Sequence, residues 1–267
     1  MEYFGICELS VLPVRKNPHS TNELVTQILY GEIFTIIEKR EKWSKISNYY
    51  DKYEGWVNNA QIKFIDKKKF NSIKSNNSVY CNDTNGYIID KDNEKTLIPI
   101  GSLVSSCNQL KSKYIGKSSL LTKSNIIKTA KQYLNSPYLW GGRIPFGIDC
   151  SGFSQIVYKI NGIKIKRDAS QQANEGKITS IKDLKTGDLA FFGKTNKKAT
   201  HVGIMINKNE IIHAFGKIRI DKVNNKGIVN SETKKLTHKL IGFRSYWFCN
   251  SSILALINLN FSFSPTV

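Results

Sequence analysis

Tyr138-Leu139-Trp140-Gly141-Gly142 is followed, after six residues, by Asp149-Cys150-Ser151-Gly152-Phe153. From there Phe153, Ile156, Val157 and Ile160 recur at the i, i+3, i+4, i+7 spacing of a buried helical face. The spacing predicts that Cys150 lies in the first turn of this helix. Unpaired backbone N–H groups and the positive end of the helix dipole there favour a thiolate. A free thiol has a pKa of about 8.5, and such a setting lowers it by several units. A single cysteine reads first as an inert buried residue, so the rest of the constellation has to decide.

Two histidines follow in strand-like segments. His201 opens His201-Val202-Gly203-Ile204-Met205-Ile206, where Val202, Ile204 and Ile206 alternate toward one face, and His213 lies in Ile211-Ile212-His213-Ala214-Phe215. Asn207-Lys208-Asn209-Glu210 between them reads as a turn, with Asn able to take the left-handed conformation. An odd loop of about three or five residues puts both imidazoles on one face, and an even loop puts them on opposite faces. The odd loop is expected. His201 then takes the proton of Cys150, and His213 holds the far ring nitrogen. A strand histidine satisfied by backbone is the alternative for His213.

These two segments, together with Lys185-Thr186-Gly187-Asp188-Leu189-Ala190-Phe191-Phe192 and His201-Val202-Gly203-Ile204, resemble the NlpC-type cell-wall cysteine peptidases, papain-like enzymes with a Cys-His-His triad. The likeness covers residues 121–246 and is greatest to the branch with bacterial SH3-like domains in front, the γ-D-glutamyl-L-diamino acid endopeptidases (dipeptidyl-peptidases) of murein peptide recycling. It implies Cys150, His201 and His213 as the triad. It also implies an oxyanion site of the Cys150 N–H and the Tyr138 hydroxyl, with substrate contacts from Tyr138, Ser151 and Asp168. Each of the last three has a plainer reading. Tyr138 can be a packing residue beside Trp140, Ser151 can serve the backbone at a helix start, and Asp168 with Gln171 three residues on is a capping box. Asp149 reads as a structural residue of the cysteine loop. The implied substrate is L-Ala-γ-D-Glu-(meso-diaminopimelate or L-Lys) peptide with a free N-terminal L-Ala. A wall-binding protein, or another thiol amidase or acyltransferase on the same fold, is the alternative.

Composition sets limits around that reading. A chain of 267 residues, 40% hydrophobic, holds two or three small domains with real cores. The five cysteines (Cys7, Cys81, Cys107, Cys150, Cys249) make no Cys-x-x-Cys pair and no ligand spacing, so neither a metal nor a disulfide framework is expected, and no cofactor. The start, Met1-Glu2-Tyr3-Phe4-Gly5, lacks the basic and apolar regions of a signal peptide, which predicts a cytoplasmic protein, or a periplasmic or secreted one if the start is mis-assigned; a monomer away from the membrane is expected. The net charge of +19 is spread along the chain, with runs such as Lys67-Lys68-Lys69 reading as solvated turns, and no nucleic-acid motif accompanies it.

Four regions are expected. Residues 1–64 carry short strands at Val11–Arg15, Leu24–Tyr30, Ile33–Ile37, Trp43–Ile46 and Glu54–Val57, which predict a small β-barrel resembling a bacterial SH3-like domain. Residues 65–120 are expected to be a second, degenerate SH3-like domain with strands at Val79–Cys81, Gly86–Ile89 and Leu97–Val104. An α+β papain-like domain follows over 121–246, with Ser124 as N-cap of a first helix whose apolar face is Ile127, Ala130, Tyr133 and Leu134. The uncharged stretch 247–267 departs from the family pattern, and Asn258 and Asn260 argue against a membrane span.

Overall fold

The computed structural model describes residues 2–84, 86–119 and 126–246. Seven strands come first: β1 (Tyr3–Ile6), β2 (Val11–Arg15), β3 (Leu24–Leu29), β4 (Ile33–Lys39), β5 (Trp43–Asn48), β6 (Glu54–Asn58) and β7 (Lys63–Ile65). They form one sheet in the order β3-β2-β6-β5-β4-β1-β7. Alternation along these strands buries Leu12, Val14, Ile28, Phe34, Ile46 and Val57 in a common core. This is the all-β SH3-like unit. Its outer strands β1 and β7 pair with each other, Phe4 opposite Ile65. Both are too short to show a period in the sequence.

The lysine run expected to be a solvated turn instead opens α1 (Lys67–Ser75). Asp66 accepts from the Lys69 N–H at 2.7 Å as its N-cap, and Phe70 and Ile73 supply its buried face. Beyond it lies a three-stranded sheet, β10-β8-β9, made of β8 (Tyr87–Ile89), β9 (Lys95–Leu97) and β10 (Lys113–Ile115). Tyr80 and Cys81 make only isolated bridges, to Leu103 and Ser118. Of the expected strand Leu97–Val104, only Leu97 lies in one. This segment shares its core with the barrel, since Phe70, Ile73, Ile88, Ile98 and Leu110 pack against Phe4, Ile6, Tyr30 and Ile33.

The remaining chain is α+β. The expected cap Ser124 lies outside the described residues. Helix α2 (Ile126–Lys131) buries Ile126 and Ala130. Leu134, expected on its apolar face, is exposed, because the helix stops at Lys131 and the chain turns through a left-handed Asn135 (φ 68°). A two-residue-per-strand hairpin, β11 (Arg143–Ile144) with β12 (Gly147–Ile148), leads into α3 (Cys150–Ile160) and α4 (Ala169–Ala173). Then come β13 (Lys177–Thr179), β14 (Leu189–Gly193), β15 (Ala199–Asn207), β16 (Glu210–Phe215), β17 (Lys217–Val223), β18 (Gly227–Val229) and β19 (Leu236–Ser245). Their order is β13-β19-β14-β15-β16-β17-β18, and β18 also pairs with β19, closing six of them into a ring. The outer face of the ring (Leu189, Phe191, Val202, Ile204, Ile212) packs on α3, every residue of which is buried. Ala190, Phe192, Met205, Ile211 and Val223 form a second core on the other face. The stretch 247–267 lies outside the described residues. Among the described residues no helix is long and apolar enough to cross a membrane.

The barrel is clamped to α3 by buried charge. Glu32 accepts from Arg143 Nη1 at 3.1 Å and from Lys159 Nζ, all three nearly inaccessible to solvent. Gln155 Nε2 donates to Asp51 at 2.9 Å beside them. Burial raises the Glu32 carboxyl, but Arg143 and Lys159 overcome that and hold it at about 2. Replacing Glu32 leaves two buried cations unpaired. We therefore expect Glu32→Gln to cost about 3–5 kcal/mol in denaturant unfolding at neutral pH. With a folded pKa below the unfolded value of 4.5, this contribution is present above 4.5 and lost as pH falls toward 2. The gap between wild type and Glu32→Gln should close through that window. Equal stability at neutral pH contradicts the clamp.

Candidate active site

Cys150 is the first residue of α3, and Asp149 is its N-cap, accepting from the Gly152 N–H at 2.6 Å. The other Asp149 oxygen accepts from the Gly141 N–H at 2.8 Å, so one carboxylate ties the Tyr138–Gly142 turn to the helix mouth. Gly141 has φ +77°, and a Cβ there meets the Leu24 carbonyl oxygen of the barrel at 2.3 Å. Only glycine permits that approach. Arg167 completes the loop. Its Nη1 and Nη2 reach Asp149 at 3.0 and 2.6 Å, and its Nε reaches the Thr26 hydroxyl on the barrel at 2.9 Å.

The thiol lies against β15, where the N–H groups of Val202 and Ser151 point at it. The expectation of a helix-mouth thiolate needs correction. Burial is the largest influence and Asp149 adds to it, so the Cys150 thiol is pushed up to about 12, with the two N–H groups and Arg167 only partly compensating. The resting sulfur is therefore protonated and needs a base.

The base candidate is His201, next to Val202 on β15. His201 and His213 stand on one face, with His201 Nε2 and His213 Nδ1 2.8 Å apart. The odd-loop expectation gave the correct face by another route. The hairpin loop is only Lys208–Asn209, since Asn207 pairs with Glu210, and a bulge between Met205 and Asn207 restores the register that sets Gly203 opposite His213. Neither Asn207 nor Asn209 is left-handed; the Asn207 side chain accepts from the Asn209 N–H at 2.8 Å instead. A Cβ on Gly203 would lie 2.8 Å from the His213 Cβ, so this glycine leaves room for the ring. Burial, then the neighbouring histidines, pulls His201 well below 6.5. His201 Nε2 is taken by His213, which leaves Nδ1 as the other ring nitrogen.

Sequence reasoning passed over two partners of this pair. His238 on β19 stacks on His201 at 4.1 Å between centroids, and Asp221 on β17 lies 3.1 Å from His213 Nε2. Both come from strands far along the chain whose registers no local pattern announces.

In front of Cys150 is a cleft of about 440 Å³, walled by Tyr138, Trp140, Ser151 and Asp168 on one side and by Glu23, Val25 and Tyr53 of the barrel on the other. The Tyr138 hydroxyl is pushed up to about 12, first by burial and then by Cys150 and Asp149, so it stays a proton donor throughout the neutral range. The Ser151 hydroxyl donates to Asp149 at 3.2 Å and accepts from Arg167 Nη1 at 2.9 Å. Its proton is thus committed in this arrangement. Asp168 opens α4 in the expected capping box, with its own N–H donating to Gln171 Oε1 at 3.1 Å. Its carboxyl is raised by burial, against which Arg167 and the Tyr53 hydroxyl act. Trp140 Nε1 donates to Glu23 at 2.9 Å across the rim. Glu23 and Tyr53 are cleft residues that the sequence left unnamed, because only the docking of the barrel brings them there. No group of three His, Cys, Asp or Glu able to hold a metal occurs among the described residues.

Comparison with known proteins agrees with this geometry. The NlpC/P60 family model matches residues 135–237, and the bacterial dipeptidyl-peptidase Sh3 domain model matches residues 14–62. The chain is 28% identical over 220 residues to the γ-D-glutamyl-L-lysine dipeptidyl-peptidase of Bacillus subtilis (strain 168), covering 72% of this chain and 73% of that protein. It is also 28% identical over 226 residues to dipeptidyl-peptidase 6 of Lysinibacillus sphaericus, covering 72% and 80%. Among solved structures, an NlpC/P60 family protein from Bacillus cereus ATCC 10987 shares the fold, with a TM-score of 0.72 and 19% identity over 91% of this chain and 99% of that one.

The buried thiol and lowered imidazole predict a specific pH behaviour. Alkylation of Cys150 by iodoacetamide should rise through pH 9 and beyond, with no inflection below 7, while the acid limb of kcat/KM lies below 6.5. A thiol titrating below 7 in the free protein contradicts a neutral resting pair.

Proposed function

On the premise that this chain is a cysteine peptidase with an NlpC/P60 domain behind an SH3 domain of the bacterial dipeptidyl-peptidase type, we propose that it hydrolyses the γ-D-glutamyl–diamino acid bond of murein peptides carrying a free N-terminal L-Ala. The observation that carries this reading is the barrel wall of the cleft. Glu23, Val25 and Tyr53 stand across from Cys150 and Asp168, which supports a site with one closed end. A glycan-linked stem needs an open end there. A peptide beginning at L-Ala does not.

Charge supports the same reading. In a chain of net charge +19, the cleft is lined by Glu23, Asp149 and Asp168. Arg167 neutralises Asp149 and Lys16 pairs with Glu23 at 3.0 Å, so Asp168 is the carboxylate offered to an ammonium. Asp168 can cap α4 with one oxygen and hold the amine with the other. The B. subtilis relative is named for γ-D-glutamyl-L-lysine, which supports L-Lys or its carboxylated analogue meso-diaminopimelate as the residue beyond the scissile bond. Short peptides of this kind are material for recycling.

In the mechanism, His201 Nδ1 takes the Cys150 proton as Sγ attacks the amide carbon. The oxyanion is received by the Cys150 N–H, which has no intrahelical acceptor at this position, and by the Tyr138 hydroxyl. His201 then protonates the leaving amine, and water hydrolyses the thioester.

The test is mass spectrometry of products from L-Ala-γ-D-Glu-L-Lys and its diaminopimelate counterpart, free and N-acetylated. Wild type should release L-Ala-γ-D-Glu from the free peptides, Cys150→Ser should release none, and His201→Ala should lose roughly 10²–10⁴ in rate. Asp168→Ala should lower kcat/KM by roughly 10²–10³ and make acetylation nearly neutral. Equal cleavage of free and acetylated peptides by the wild type overturns the closed-end reading.

A further inference from the structure

The Asp221 carboxylate is surrounded by donors. Oδ2 faces Arg219 Nε at 2.9 Å and His213 Nε2 at 3.1 Å. Oδ1 faces Arg219 Nη2 at 3.2 Å and the Ser231 N–H at 2.8 Å. Asp221 and His213 are fully buried on neighbouring strands, with Asp221 opposite Ile211 and so diagonal to His213. Three of the four donors cannot be anything else, because Arg219 and a backbone amide have no acceptor role there. An ionised carboxylate only accepts.

We propose that Asp221 is a positioning residue that sets the direction of the whole imidazole relay, so that His201 presents a bare Nδ1 to Cys150. The chain of consequence is short. Asp221 requires a proton on His213 Nε2. Burial lowers the His213 pKa, which keeps the ring neutral and leaves its Nδ1 as an acceptor. The contact between His213 Nδ1 and His201 Nε2, at 2.8 Å, then places the His201 proton on Nε2. A neutral His201 therefore carries its lone pair on Nδ1, the only ring position able to take a thiol proton. With the opposite polarity, His213 Nδ1–H donates to His201, the His201 proton sits on Nδ1, and two donors confront each other at the thiol. His213 alone does not choose between these states, since either ring tautomer makes the His–His bond. Asp221 chooses, and Arg219 and the Ser231 N–H hold it as a carboxylate.

This inference rests on the cysteine-peptidase reading, but its first test does not need turnover. In the full chain with ¹⁵N-labelled histidine, nitrogen shifts should show both His213 and His201 protonated on Nε2. A protonated His213 Nδ1 in the wild type overturns the proposal. In Asp221→Asn the amide NH₂ must meet donors on either side, and His213 is the one partner that can switch to accepting. Both rings should reverse to Nδ1–H, and unchanged tautomers overturn the proposal. Kinetically, Asp221→Asn should lower kcat on the free tripeptide by roughly 10²–10⁴. In a His213→Gln background, where the side-chain amide can serve His201 either way, the same change should cost under about threefold. Equal losses in both backgrounds mean a merely structural role. A wild type that cleaves none of the peptides counts against the substrate reading, while the nitrogen shifts still decide the relay.

Discussion

One ion pair, Arg167 with Asp149, fixes more of this molecule than any other contact. It is bidentate, at 3.0 and 2.6 Å, and almost wholly removed from water. Two parallel charge-assisted bonds offset a desolvation cost that a single bond would not. Through the same carboxylate the pair holds the Gly141 amide and the Gly152 amide, so the turn carrying Tyr138 and the helix carrying Cys150 have one common anchor. Through Arg167 Nε it reaches Thr26, which fixes the barrel over the cleft. The candidate nucleophile, the candidate oxyanion donor and the cleft wall thus share one charge pair.

Burial then dictates the chemistry. A sulfur pushed to about 12 and an imidazole pulled well below 6.5 favour uncharged partners at rest. In the proposed mechanism, charge appears only when the substrate brings an oxyanion to the Cys150 N–H and the Tyr138 hydroxyl. His238 stacks on His201, and His201, His213 and Asp221 are all buried.

Much of this was legible in the sequence, and the limits were physical. The helix of Cys150 declared itself because its apolar period is local and its N-cap is the neighbouring residue. The β-barrel strands from Val11 to Asn58 did so as short strands at regular spacing. What failed depended on distance or on a cancelling detail. The hairpin between the histidines has an even loop, and a one-residue bulge, invisible in composition, restores the face. The thiolate expectation counted the helix dipole and could not count burial. Asp221, His238, Glu23 and Tyr53 reach the site through strand register or domain docking, neither of which a linear pattern encodes. Residues 67–115 were hardest to read because their buried residues pack in a cluster shared with Phe4, Ile6, Tyr30 and Ile33 of the barrel.

The most direct test of the central claim, a cleft closed by the barrel around a free amino terminus, is a crystal structure of Cys150→Ala with L-Ala-γ-D-Glu bound. The account predicts the ammonium at the closed end, bonded to the Asp168 carboxylate and near Glu23 and Tyr53, with the γ-carboxyl beside Tyr138 and residue 150. An ammonium directed out of the cleft toward solvent, with the barrel residues untouched, would contradict it.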